Sequence, residues 1–237
     1  MPPTDVALIV DVDGTLVDST YEHVLAWVRA FREHDVVVPA WRIHRAVGMG
    51  GDQLVAHVAG EGVEARLGDR IRETEGEAYR EYLPHVRPFT DAMPFLERCG
   101  AVGIQVVLAS SSKPSELERY LELLDVRRLG VRWVSSGDVE RTKPAPDLIE
   151  RAVAEVEGAG AMMVGDATWD VVAARHAGLP SIALLTGGYG EDELRDAGAV
   201  AVYERLEQLT EALPSWSERI RGATAAVGQS PAEPSTP

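Results

Sequence analysis

The chain has 237 residues, of which 45% are hydrophobic and 26% are charged, so it can form one large domain or a domain with an insertion. Its 38 Asp and Glu exceed its 23 Lys and Arg, which gives a formal net charge of −15 at pH 7. A chain this acidic repels phosphate backbones, so nucleic acid is not expected as a partner. The single cysteine, Cys99, excludes an intrachain disulfide and a multi-cysteine zinc site.

The N-terminal residues lack the basic start and the hydrophobic run of a signal peptide. No hydrophobic stretch approaches the roughly 18 residues that a membrane-spanning helix needs. Together with the low cysteine content, these features predict a cytoplasmic protein that does not bind membranes.

Residues 6–10 form a continuously hydrophobic run that is rich in β-branched side chains and ends at Asp11, which is typical of a strand buried on both faces. Residues 19–86 then show helical periodicity with no convincing buried strand. The sequence therefore predicts a helical subdomain inserted after the first strand.

From about residue 100 onward, hydrophobic runs alternate with helical segments. The predicted strands span residues 104–109, 131–134, 161–164, 181–185 and 199–202. The intervening helical periodicity includes residues 116–124, 147–156 and 171–177. This alternation predicts an α/β fold with a parallel sheet and helices on both faces.

This pattern divides the chain into three predicted parts. Residues 1–18 and 87–221 are expected to form a catalytic core, and residues 19–86 an inserted cap. Residues 222–237 are small, polar and proline-containing, so they are predicted to form a disordered tail.

Asp11 and Asp13 lie at the carboxyl end of the first strand, where open parallel sheets bind ligands. Residues two apart in an extended segment share a face, so both carboxylates are expected to converge on one site. One of them can attack or bind a metal ion while the other transfers protons. A simple Asp-Gly turn that ends the strand is the alternative.

Asp166 and Asp170 follow the predicted strand 161–164 in the same way. Four aspartates at two strand ends make an oxygen-rich site suited to Mg²⁺, and a divalent cation would offset their mutual repulsion. Asp170 could instead be the N-cap of the helix that follows it.

Ser110 ends the strand 104–109, and its hydroxyl and the following backbone N–H groups suit a phosphate oxygen at a helix start. A helix-capping role is the alternative for these serines. Lys143 is one of only two lysines and precedes a helix opened by proline. A solvated surface position is the alternative for this lysine.

These segments resemble the haloacid dehalogenase-like (HAD) superfamily, in particular its helical-cap phosphatases and the related β-phosphoglucomutases. The matching segments, which occur in the family's order, are DVDGTLVDS (11–19), VVLASSSK (106–113), KPAPD (143–147) and MMVGDATWD (162–170). The resemblance covers about residues 5–215 and implies a Rossmann-like core with an inserted α-helical cap.

The resemblance also implies roles for individual residues. Asp11 would be the nucleophile that forms an aspartyl-phosphate, and Asp13 the general acid and base. Asp11, the backbone carbonyl of Asp13, Asp166 and Asp170 would hold Mg²⁺, with Asp170 binding either directly or through water.

The remaining implied site residues bind substrate. Ser110 and Lys143 would hold the phosphoryl oxygens, with Ser111 beside them. In the cap, His23 matches a family histidine and would face the site, although an exposed helix position is the alternative. Gly48 lies in a loop, residues 47–52, that resembles the family's specificity loop.

The sequence thus predicts a Mg²⁺-dependent phosphatase, a monomer or homodimer, that acts on a small phosphorylated metabolite. Asp13 distinguishes it from haloalkanoate dehalogenases, and the absence of lysine from residues 18–90 distinguishes it from phosphonoacetaldehyde hydrolases. A β-phosphoglucomutase-like sugar phosphomutase and a catalytically silent binding protein are the alternatives. Phosphoglycolate, a sugar phosphate and a nucleoside monophosphate all stay open as substrates.

Overall fold

A computed structural model describes residues 5–156 and 160–227. In chain order its strands are β1 (Val6–Val10), β2 (Val17–Asp18), β3 (Arg87–Pro88), β4 (Gln105–Ala109), β5 (Arg132–Val134), β6 (Gly160–Gly165), β7 (Ser181–Leu184) and β8 (Ala201–Tyr203). A parallel sheet contains the strands in the order β5-β4-β1-β6-β7-β8. The predicted strands are therefore present, and no strand end differs from its predicted position by more than two residues.

The helices that precede β3 are α1 (Thr20–Glu33), α2 (Ala40–His44), α3 (Gly51–Ala59) and α4 (Glu61–Tyr82). Those that follow β3 are α5 (Ala92–Ala101), α6 (Pro114–Leu123), α7 (Val126–Leu129), α8 (Asp147–Val153), α9 (Thr168–His176), α10 (Glu191–Ala197) and α11 (Leu206–Val227). Among the described helices, none is long and hydrophobic enough to cross a membrane.

Strand β1 is hydrophobic at every position because both of its faces are covered. Val6, Leu8 and Val10 belong to one hydrophobic cluster, together with side chains of α5, α6 and α11. Ala7 and Ile9 point to the opposite face and join a second cluster with α8 and α9. The predicted α/β fold with helices on both faces of a parallel sheet is confirmed.

Helices α1 to α4 pack around a separate hydrophobic cluster, whose buried members are Val24, Trp27, Ala30, Phe31, Ile43, Ala46, Leu54, Val55, Val58 and Ile71. The chain enters and leaves these helices through a short antiparallel ribbon, in which β2 pairs with β3. A helical cap is thus inserted after the first strand, and its bounds at residues 19–86 stay a prediction.

Helix α11 reaches Val227, so it includes residues 222–227 of the segment predicted to be a disordered tail. This part of the prediction is wrong, because the helix continues past Gly222. Residues 228–237 lie outside the described residues.

The strand order determines where a ligand can bind. From β1 the chain continues to β4 and β5 on one side of the sheet, and then to β6, β7 and β8 on the other. The carboxyl ends of β1, β4 and β6 therefore meet where the direction of winding reverses, which is the usual ligand site of open α/β sheets.

Replacing a buried side chain of a central strand should destabilise the protein strongly. Leu108 of β4 is fully buried, so Leu108→Ala should lower the free energy of unfolding by about 2–5 kcal/mol. Leu25 is 53% exposed, and Leu25→Ala should stay within about 1 kcal/mol. Urea unfolding of both variants measures the difference, and equal losses would contradict the assigned packing.

Candidate active site

Lys143 and Asp11 form the centre of a fully buried polar cluster. Lys143 is 1% exposed and Asp11 is 3% exposed. The ammonium group donates hydrogen bonds to Asp11 Oδ1 and, over 2.7 Å, to Asp170 Oδ1. The alternative of a solvated surface lysine is therefore wrong.

This pairing controls the charge state of the cluster. Burial alone would lower the pKa of Lys143, but the charges of Asp11 and Asp170 outweigh it and hold that pKa above its usual value. Burial, together with the negative charges of Asp170 and Asp13, raises the pKa of Asp11 to about 7 despite the opposing effect of Lys143. The lysine stays charged, whereas Asp11 needs additional positive charge to remain fully ionised at neutral pH.

Asp11, Asp166 and Asp170 together form an oxygen cluster. Each contributes one carboxylate oxygen, and these atoms lie within 4.8 Å of one another. Asp166 is oriented by the Thr15 hydroxyl, which donates a hydrogen bond of 2.8 Å. Burial, reinforced by Asp170 and Asp11, raises the pKa of Asp166 well above its usual value. Such a buried set of carboxylates fits a hard divalent cation such as Mg²⁺.

Asp170 also stabilises helix α9, but not as its N-cap. The helix begins at Thr168, so Ala167 is the N-cap residue. Asp170 Oδ2 accepts a 3.0 Å hydrogen bond from the backbone N–H of Ala167, as the third residue of a helix does in a capping box. One oxygen of Asp170 thus holds the helix start, and the other contacts Lys143.

Asp13 lies beside this cluster but its carboxylate is held by a different set of groups. Ser19 Oγ and His23 Nε2 contact Oδ1 at 2.8 and 3.1 Å, while Ser110 Oγ and Ser112 Oγ contact Oδ2 at 3.2 and 2.6 Å. The Asp13 carboxylate thus lies outside the set of Asp11, Asp166 and Asp170 oxygens, although Asp11 and Asp13 line the same pocket. Burial raises its pKa, but the hydrogen bonds from His23, Ser112 and Ser19 outweigh burial and lower it overall.

His23 is buried, with 8% exposure, so the alternative of an exposed helix position is wrong. Its Nδ1 lies 3.5 Å from Glu75 Oε1, and its ring stacks on Tyr79 at 3.8 Å between centroids. Burial lowers the pKa of His23, but hydrogen bonds to Asp13 and Glu75 raise it to about 10. The imidazolium therefore links a core carboxylate to a carboxylate of cap helix α4.

The serines after β4 face different partners. The Ser110 hydroxyl donates to Asp13 and also accepts a 3.0 Å hydrogen bond from the backbone N–H of Ser112. Ser111 Oγ is buried and has no hydrogen-bond partner within the described part of the chain. Because an unpaired buried hydroxyl is costly, Ser111 is suited to bind a polar group of a ligand.

The cap loop around Gly48 lies directly against the core. Gly48 has a φ of +101°, and a Cβ placed there would lie 2.8 Å from Cβ of Ala167, so this position requires glycine. The backbone N–H of Gly50 donates to the carbonyl oxygen of Lys143 at 3.4 Å. Asp52 accepts a 3.2 Å hydrogen bond from the backbone N–H of Thr142.

A pocket opens between the cap and the core. Its core side is lined by Asp11, Asp13, Ser111 and Lys143, and its cap side includes His23 and Gly48. Most of the predicted site residues thus line this pocket or belong to the buried carboxylate cluster beside it. Ser110 does neither, but its hydroxyl contacts Asp13.

Sequence reasoning missed several polar residues of the site. Ser19 and Ser112 lie within the quoted motifs, so the motifs already contained the partners of Asp13. Glu75 is 3% exposed, and its position in the hydrophobic pattern of α4 could have identified it. It lies four residues from Ile71 and from Tyr79 on α4, both fully buried. A glutamate on such a buried stripe needs polar partners.

Comparisons with known proteins agree with this geometry. A family described as haloacid dehalogenase-like hydrolase matches residues 6–178. A phosphoglycolate phosphatase of Rhodospirillum rubrum is 28% identical over 95% of this chain and 99% of its own. A validoxylamine A 7'-phosphate phosphatase of Streptomyces hygroscopicus is 26% identical over 85% and 92%.

A solved structure is also similar to this chain. The crystal structure of a hydrolase from Pseudomonas syringae superposes with a TM-score of 0.83 and 32% identity, covering 89% of this chain and 98% of the other. The family match spans β1 to α9, and with it every aspartate of the buried cluster. The chain therefore belongs to the haloacid dehalogenase-like hydrolase family, and within that family it is a phosphatase.

Proposed function

We propose that the protein hydrolyses a small phosphorylated metabolite through an aspartyl-phosphate on Asp11, with Mg²⁺ as its cofactor. The observation that carries this proposal is the buried contact of Lys143 with both Asp11 and Asp170, at the floor of the pocket. A carboxylate can attack a phosphate dianion only where positive charge offsets their repulsion.

The donor set supports Mg²⁺ as the cofactor. Asp11, Asp166 and Asp170 would hold the ion, with the backbone carbonyl of Asp13 as a further ligand. A bound Mg²⁺ supplies positive charge that lowers the pKa of Asp11 and stabilises charge on the phosphoryl group. Without it, three carboxylates share the single buried ammonium of Lys143.

Asp13 is suited to transfer protons on the leaving-group side. We assign it to protonate the departing alkoxide and then to deprotonate the attacking water. Ser19 and Ser112 fix its two oxygens in place. Because Asp13 is ionised before substrate binds, the proton that it passes to the leaving group would come from the His23 imidazolium, whose Nε2 lies 3.1 Å from Asp13 Oδ1. The proton that Asp13 then takes from the attacking water would return to His23.

The phosphoryl oxygens would be bound by Lys143 and by the segment after β4. Ser110 is fully buried and positions the turn, while the unpartnered Ser111 hydroxyl supplies a donor. His23 and Gly48 line the part of the pocket where the rest of the substrate would lie. A cytoplasmic location and a monomeric or homodimeric assembly are further predictions.

Replacing Asp11 should abolish turnover. Asp11→Asn keeps the size of the side chain but removes the attacking anion, so kcat with a chromogenic phosphate ester should fall by several orders of magnitude. The exposed Asp192→Asn serves as the matched control and should retain full activity. If folded Asp11→Asn kept more than about a tenth of the activity, Asp11 would not be the nucleophile.

Removing divalent cations should stop hydrolysis reversibly. Chelation should eliminate activity and Mg²⁺ should restore it, because the carboxylate cluster requires positive charge. Ca²⁺ should bind without supporting turnover, since its larger and looser coordination misplaces Asp11. Phosphate release in metal-free buffer tests this, and full activity there would contradict the proposed cofactor.

Replacing Lys143 should lower kcat more than it raises KM. Lys143→Met retains the side-chain stem and deletes the ammonium, so kcat should fall by about 100-fold or more. Arg141→Met, two residues away, removes a largely exposed cation and should leave the kinetics unchanged. Equal kcat/KM values for Lys143→Met and the wild type would refute the assigned role.

A further inference from the structure

The half of the pocket next to the cap contains charged side chains that the proposed phosphoryl chemistry does not use. Arg72 and Glu75 of α4 line it together with Lys113 and Glu116, which lie at the start of α6. Trp27, Met49 and Leu54 add hydrophobic and aromatic surface to the same half. The part of the substrate beyond its phosphate would lie against these groups.

The three cations in this half of the pocket, Arg72, Lys113 and the His23 imidazolium described above, are already paired. The Arg72 guanidinium donates two hydrogen bonds to Glu64, at 2.8 and 2.9 Å, and a third to Asp69 at 2.7 Å. Lys113 Nζ donates to Glu75 Oε2 at 3.0 Å and to the carbonyl oxygen of Arg72 at 3.2 Å. Glu75 in turn is 3% exposed and contacts His23 with its other oxygen.

The local charge is consequently unfavourable for an anion. Arg72 and Lys113 contact three carboxylates, those of Glu64, Asp69 and Glu75, even before Glu116 is counted. A carboxylate or a second phosphate on the substrate would have to displace one of these partners, of which Glu75 is buried and Asp69 is exposed, or lie beside it uncompensated. Placing like charges together in an interface costs several kcal/mol.

We propose that the site selects phosphate monoesters whose remaining part is uncharged and hydroxylated, such as polyol or sugar monophosphates, over esters that carry a second anionic group. Hydroxyl groups can accept from Lys113 and donate to Glu75 or Glu116 without disturbing the charge balance. The carbon skeleton can pack on Trp27. The selection rests on the proposed phosphatase function.

The same charge pattern disfavours the phosphomutase alternative, because a mutase must hold a second phosphate in the cap while the first is transferred. The family comparison does not decide the substrate, since relatives of similar identity are named for different phosphate esters. The charge pairing in this pocket, and not the family to which the chain belongs, therefore indicates the substrate class.

Two matched pairs of substrates test the inference with the whole protein and Mg²⁺. 2-Hydroxyethyl phosphate differs from 2-phosphoglycolate, and glycerol 3-phosphate from 3-phosphoglycerate, only by a hydroxymethyl group in place of a carboxylate. In each pair kcat/KM for phosphate release should be about 10-fold or more higher for the hydroxylated ester. Equal values, or faster hydrolysis of the acidic esters, would overturn the inference.

Two variants should move this preference in opposite directions. Glu75→Gln removes a negative charge, so the ratio of kcat/KM values within each pair should fall by about threefold or more. Lys113→Met removes a positive charge, so the ratio should rise. Glu33→Gln, an exposed glutamate of α1 paired with Arg29, is the control and should leave it unchanged. A purely structural role would not reverse the shift between the two variants.

The failure of the inference and of the proposed function can be told apart. If the chromogenic ester is hydrolysed and Asp11→Asn abolishes this, the phosphatase function holds, and the substrate ratios alone decide the inference. Ratios that do not change in either variant would show that charge in this half of the pocket does not select the substrate. If no ester is hydrolysed with Mg²⁺, the proposed function and the inference fail together.

Discussion

The contact of the buried Lys143 ammonium with Asp11 and Asp170 is the interaction on which the rest of the structure depends. A buried ammonium is costly unless it is paired and hydrogen-bonded, so the carboxyl end of β1, the start of α9 and the segment around residue 143 must meet at one point. The reversal of strand order between β4, β1 and β6 brings these segments together. Three carboxylates against one ammonium still leave an excess of negative charge, which is why the cluster fits a divalent cation.

A second set of polar contacts extends from this cluster into the cap. Asp13 contacts His23, His23 contacts Glu75, and Glu75 contacts Lys113. Asp13 and Lys113 belong to the core, whereas His23 and Glu75 belong to cap helices. Each member is held by a partner from the other part of the fold, so the orientation of the proposed proton-transfer group depends on the cap being seated on the core.

The sequence predicted the core more completely than the cap. Strands such as Val6–Val10 can be predicted from the sequence because burial on both faces makes every position hydrophobic. Asp11, Asp166 and Asp170 could be placed near one another because parallel strands end at a common edge. The side-chain direction of Asp13 was not predictable, since it is determined by Ser19, His23 and the two serines that follow β4. Glu75 was missed because its partners are distant in sequence, and periodicity alone does not identify them.

This difference has a physical basis that bears on specificity. The phosphoryl end of a substrate is the same in every monoester, so it can be bound by strand-end residues whose positions follow from the topology of the sheet. The rest of the substrate meets Arg72, Glu75 and Lys113, whose net effect depends on how they pair with one another. A lysine in a sequence counts as one positive charge, but a lysine that already contacts a buried glutamate offers little net attraction to an anion. Selectivity between neutral and anionic substrates is therefore a property of the paired set of side chains, and it requires the three-dimensional contacts to be known.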